Sequence, residues 1–109
     1  MALLRGTLEL LVLKSLSWGP MHGFEITTWI EERSGGELEV TDAALLQALH
    51  RLDGREAVAA EWGTTSNGRR AKYYRLTANG KALLRTEGAA MARHVDALAT
   101  ILAAESLEP

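Results

Sequence analysis

Four cationic side chains, Arg69, Arg70, Lys72 and Arg75, flank Tyr73 and Tyr74 in "NGRRAKYYRLT" at residues 67–77, and the stretch opens on Asn67-Gly68. Asn-Gly is among the strongest tight-turn signals, so the stretch reads as the tip and return strand of a β-hairpin. The chemistry it supports is phosphate neutralisation. Guanidinium and ammonium groups on a polar tip each screen one phosphate, and Thr65 and Asn67 can donate to phosphate oxygens without reading bases. The chain as a whole carries a net charge of −2. Residues 50–81, however, hold seven cationic side chains against three carboxylates, a local charge of +4, which leaves −6 on the remainder. Attraction to phosphate decays over about 8–10 Å at physiological salt, so this local asymmetry decides the electrostatic footprint.

A second group of candidates lies upstream in "DAALLQALHRLDG". Helical spacing there puts Leu45, Ala48, Leu49 and Leu52 on one stripe and leaves Ala43, Leu46, Gln47, His50 and Arg51 on or near the other side. Gln47 and His50 are the candidate base-edge readers, because a glutamine amide can bond adenine at two positions. Arg51 suits a groove edge or a phosphate. Catalytic chemistry has little to stand on. His22, His50 and His94 fall on three separate predicted elements with no carboxylate at ligand spacing, and the chain has no cysteine. No glycine-rich phosphate loop follows a strand. Neither a metal nor a cofactor is expected.

The elements that must position these residues follow from the apolar pattern of a 109-residue chain, a length typical of one domain. With 47% hydrophobic and 24% charged residues it has a globular composition, not a disordered one. Absence of cysteine excludes a disulfide framework and suits a reducing cytoplasm. Leu4, Leu8, Leu11, Val12 and Leu16, widened by Leu10 and Leu13, predict a buried helix over residues 3–16. Glu9 and Lys14 interrupt the apolar run, which separates it from a signal peptide, and no stretch approaches the roughly 20 apolar residues of a membrane span. "SWGP" ends this helix. A second helix is predicted from His22 to Ser34, with Phe24, Ile26, Trp29 and Ile30 inside, closed by Gly35-Gly36.

Thr41 or Asp42 caps the third helix, which runs to about Gly54. "AVAAEW" at 57–62 alternates Val58, Ala60 and Trp62, and "KYYRL" at 72–76 is rich in strand formers, so the two make a hairpin around "GTTSNGRRA". Trp18, Trp29 and Trp62 read as core anchors, and strand alternation sends one of Tyr73 and Tyr74 inward. Thr77 caps a last helix in which Leu84, Met91, Val95, Leu98 and Leu102 step by four and three, with Gly88 in the gap. That is a coiled-coil-like seam on a rod of roughly 40 Å, longer than a small core can cover, so it is expected to pack on a second subunit. Met91 reads as interface packing and His94 as its wet edge. There is no internal repeat.

Three helices, a β-hairpin and a long final helix define a mainly α (α+β) fold, the winged helix-turn-helix. Residues 1–76 are expected to form the DNA-binding winged unit and residues 77–109 the dimerisation helix, continuous with it. A competing reading keeps the dimeric fold but assigns it to binding a protein partner, with DNA bound weakly or without specificity.

Three motifs in order tie the chain to a known family. "GTLELLVLKSLSWGPMHGFEI", "LLQALHRLD" and "NGRRAKYYRLTANGKALL" resemble the first-helix turn, recognition helix and wing of PadR-family transcriptional regulators, over residues 6 to about 84. The resemblance implies a homodimeric repressor that binds palindromic double-stranded DNA through Ala43–Arg51 and the wing Asn67–Lys72. It also implies dimerisation through the first helix, with Leu8, and the last helix, and release of DNA by small aromatic or hydrophobic effectors. The single long final helix resembles the short-tailed subgroup. Where the family pattern has Gly, Ser or Thr, Tyr and Pro, this chain has Ala43, Ala44, Leu46 and Gln47.

Overall fold

The computed structural model describes residues 6–105. The predicted start of the first helix, with Leu4, lies outside them. Helix α1 spans Thr7–Leu16 and is central: it packs against α2 (Gly23–Arg33), α3 (Asp42–Gly54), α4 (Ala78–Ala103) and strand β3 (Arg70–Leu76). This explains its wide apolar girth, for Leu8, Val12, Leu13 and Leu16 are all buried. They meet Ile26 and Ile30 of α2, Val40, and Leu45, Ala48, Leu49 and Leu52 of α3 in one core that Ala57 and Val58 close from the wing side. Burying each large aliphatic side chain contributes about 1.5–3 kcal/mol, so this core is what holds α3 at a fixed angle.

The helix ends are set by local chemistry. His22 and Glu25 form a capping box: the Glu25 N–H donates to His22 Nδ1 at 3.4 Å and the His22 N–H to Glu25 Oε1 at 3.1 Å. The Thr41 hydroxyl accepts from the Ala44 N–H at 3.1 Å and starts α3. At the other end of α3 the Ala57 N–H reaches the Leu52 carbonyl and the Glu56 N–H the Asp53 carbonyl, both at 2.9 Å. These two bonds make a Schellman motif, in which the left-handed position usually taken by glycine is held by Glu56 at φ 57°.

Strand β2 (Val58–Thr64) pairs antiparallel with β3, Trp62 opposite Lys72 and Thr64 opposite Arg70. A third strand, β1 (Met21–His22), pairs with the other edge of β3, giving the order β1-β3-β2. Its two residues carry no periodicity that could announce them. The wing turn is built around Gly68 at φ 80°: the Gly68 N–H donates to the Thr65 carbonyl at 2.9 Å, and the Thr65 N–H to the Arg69 carbonyl at 2.8 Å. Ser66 and Asn67 therefore take the centre of the turn and Gly68 supplies its left-handed residue, a longer tip than an Asn-Gly two-residue turn.

Several expected core positions are exposed. Phe24, Trp18 and Trp62 are 76%, 66% and 59% exposed, and Trp29 is half-buried. Trp18 sits in the turn after α1, where the Arg33 guanidinium lies 5.4 Å from its ring and equally far from that of Trp29. Trp62 shares a strand face with Val58, but the hairpin outruns the helices, and only the Val58 end of β2 reaches the core. Tyr73 and Tyr74 are both half-buried because β3 is the central strand. The His22 ring packs edge-on against Tyr73 at 5.3 Å.

Helix α4 begins where Thr77 caps Gly80 at 3.0 Å. Its Leu84 packs on the core, whereas Val95, Leu98, Ile101 and Leu102 are exposed. Among the described residues no helix is long and apolar enough to cross a membrane.

Candidate nucleic-acid interface

The core that buries Leu45, Ala48, Leu49 and Leu52 turns Ala43, Leu46, Gln47 and His50 outward, all exposed on one side of α3. The wing presents a face to the same side. Leu46, His50 and Asp53 of α3 and Ala60, Lys72 and Tyr74 of the wing line one cleft of about 240 Å³. By strand alternation Trp62 and Arg70 continue that wing face outward from Ala60 and Lys72. Arg69, at the tip, is exposed; the structure thus brings Leu46 and His50 of α3 together with Lys72, with Ala43 and Gln47 exposed on the same side of α3 and Arg70 on the same wing face as Lys72. Two neutral donors sit in the turn beside them. Asn67 Oδ1 accepts from the Ser66 hydroxyl at 3.3 Å, and the Thr65 hydroxyl accepts from the Arg69 N–H at 3.2 Å.

The seven cations of residues 50–81 divide three ways. Arg51 and Arg55 are committed to ion pairs within the chain: Arg51 Nε donates to Glu9 Oε1 at 2.8 Å, and the exposed Arg55 pairs with Glu87. The hydrogen bond that Arg55 donates to the Glu87 carboxylate holds its guanidinium above its ordinary pKa, against the opposing effect of burial. Arg75 and Lys81 lie elsewhere, with Trp18, Leu84 and Arg85 around an open groove of about 560 Å³ below the wing. Arg69, Arg70 and Lys72 remain, and among the described residues none of them is in an ion pair. Two lie over aromatic rings: the Arg70 guanidinium is 4.5 Å from the Trp62 centroid and Lys72 Nζ 5.8 Å from that of Tyr74.

Arg51 is thus placed apart from the other candidates, half-buried over α1 and bonded to a carboxylate 42 positions earlier in the chain. Trp62 is the reverse case. Its alternation with Val58 points to the core, and only the length of the wing reveals that it belongs to the outer face. The candidate dimer residues divide likewise: Leu8 is buried in the chain's own core, Leu84 and Met91 are half-buried, and Val95, Leu98 and Leu102 are exposed.

A helix held by a three-helix core beside a cationic β-hairpin is the reading head of a winged helix-turn-helix protein. The model of the PadR-like transcriptional regulator family matches residues 12–86. The chain belongs to that family. It is 33% identical over 82 residues to an uncharacterised protein of Lysinibacillus sphaericus, covering 75% of each chain. Its fold is similar to that of a PadR-family regulator from Eggerthella lenta, with a TM-score of 0.74 and 27% identity over 93% of this chain and 86% of that one. Bacillus subtilis PadR, solved in complex with operator DNA, matches with a TM-score of 0.65 and 19% identity, over 97% of this chain and 52% of that one.

Proposed function

We propose that this protein is a site-specific DNA-binding regulator of transcription that acts as a two-fold dimer, with α3 in the major groove and the wing along the backbone. The observation that carries the reading is that His50 of α3 and Lys72 of the wing line one cleft, with Gln47 on the same exposed side of α3 and Arg70 on the same wing face, while Arg69, Arg70 and Lys72 stand outside any ion pair among the described residues. Phosphate contacts from the wing fix register and orientation, and α3 reads base edges. Gln47 suits adenine, and exposed Leu46 suits a thymine methyl. A family relative solved on operator DNA supports the same use of the fold.

Dimerisation through α4 rests on the exposed Val95, Leu98, Ile101 and Leu102, an apolar stripe that a soluble rod has reason to cover. In such a dimer the recognition helices lie about 34 Å apart, one DNA turn, and the operator is palindromic. Repression by steric exclusion from a promoter, and release by a small hydrophobic or aromatic effector, extend the reading by family resemblance.

The test is fluorescence anisotropy on the protein's own upstream DNA across a salt series, with a scrambled duplex as control. Three wing cations per protomer, six per dimer, give an expected slope of log K against log salt of roughly −5. Tight, salt-steep binding that prefers the upstream fragment is the expected result. Weak or salt-insensitive binding to both duplexes overturns it. The exposed Leu46, together with Ala43 and Ala44 in place of hydroxyl-bearing or smaller residues, would then favour a dimeric module that docks a protein partner.

A further inference from the structure

Large aromatic side chains on the solvent face of a wing cost exposed apolar surface, and Trp62 is 59% exposed. Its neighbours suggest what it is for. In the β2–β3 register Trp62 lies opposite Lys72, which makes Arg70 its diagonal neighbour on the same face, a separation that long and aromatic side chains bridge. The Arg70 guanidinium sits 4.5 Å from the indole centroid, closer than any other cation–ring contact in the described residues. A guanidinium held over a ring by its cationic charge keeps its N–H donors, which lie in its own plane, available for a second partner. Those donors are the ones that pair two-pronged with a phosphate.

We infer that Trp62 is a positioning residue for DNA binding, a platform that holds the Arg70 guanidinium in a phosphate-ready orientation before DNA arrives. The inference rests on the DNA-binding reading above. A free arginine loses substantial rotamer freedom when it is fixed on a ligand, and one held over a ring has already lost part of it. Lys72 over Tyr74 repeats the arrangement one step nearer the core. The wing then offers DNA pre-oriented cations rather than mobile ones, and the indole itself makes no base contact.

The experiment is a double-mutant cycle on the full chain, with Trp62→Leu, Arg70→Ala and both together, and Trp62→Phe as the conservative variant. Affinity is read by anisotropy on one duplex at fixed salt. The leucine keeps apolar bulk without a π-face, and thermal melts confirm that each variant folds. Trp62→Leu is expected to weaken binding by roughly five- to thirty-fold for two wings, from the strength of a cation–π contact at an exposed site. Trp62→Phe restores most of it, and the loss vanishes in the Arg70→Ala background. The same loss in both backgrounds overturns the proposal, since the indole would then touch DNA directly, and so does no loss at all. A measurement without DNA keeps the two readings separate. The Arg70 Nε–H resonance is expected to lose its ring-current shift and become more mobile in Trp62→Leu. If wild type shows that shift but binds no duplex, the DNA-binding reading fails while the platform geometry stands; if the resonance is unchanged by Trp62→Leu, the platform fails whatever the DNA result.

Discussion

A Cβ placed on Gly80 would lie 2.0 Å from the carbonyl oxygen of Ala57. Glycine is required there because the first turn of α4 presses onto the backbone that links α3 to the wing. The same junction is hydrogen-bonded: the Thr77 N–H donates to the Ala57 carbonyl at 3.1 Å, the Thr77 hydroxyl to the Glu56 carbonyl at 2.6 Å, and the Asn79 amide to the Arg55 carbonyl at 2.7 Å. Substituting Gly80→Ala gains about 1 kcal/mol of helix propensity but drives a methyl into main chain that cannot yield. A net loss of about 2 kcal/mol is expected, read as a lower midpoint in thermal or urea unfolding.

Glu56 occupies a left-handed position at φ 57°, in the Schellman motif that ends α3. Glycine adopts this conformation without a Cβ penalty. Glu56→Gly is therefore expected to stabilise the protein by about 0.5–1 kcal/mol, while Glu56→Val destabilises it. Paired urea titrations of the three forms decide the matter; a less stable glycine variant would mean that the Glu56 side chain contributes more than its backbone costs.

Arg51 and the wing arginines are expected to separate in two assays. Arg51→Ala removes a hydrogen-bonded partner from the largely buried Glu9 and lowers stability by about 1 kcal/mol, with the salt slope of DNA binding unchanged. Arg69→Ala with Arg70→Ala leaves stability nearly untouched and weakens binding to all sequences alike. It also flattens the slope by roughly 4 for a dimer. Gln47→Ala alters preference at a single base position.

Leu98 and Leu102 test the assembly. Placing a charge on the exposed stripe, as in Leu98→Asp, is expected to yield monomers in sedimentation with the circular dichroism of the winged unit retained. DNA affinity should fall steeply, since one half-site then binds without its partner. Unchanged sedimentation would place the subunit contact elsewhere.

Much of this was legible in the residues. Apolar spacing located the four helices because burial against a common core imposes the 3.6 period, and Thr41 and Thr77 marked helix starts that the structure caps through their hydroxyls. What was not legible depends on partners distant in the chain. Nothing near Met21 announces a two-residue strand; it exists because β3 offers a free edge. Arg51 looked free because Glu9 lies on another helix. Trp62 looked buried because alternation reports which face a residue takes, not how far the opposing layer extends.

The bonds at the α3–wing junction have a mechanical consequence. They join the start of α4 to the wing and α3 as one stiff piece, so the helix of 26 residues, about 39 Å long, works as a lever arm. Tilting it by roughly 10° about its far end swings the wing and α3 through roughly 7 Å, more than the width of a minor groove. Whatever grips the exposed end of α4 therefore sets where the wing lands.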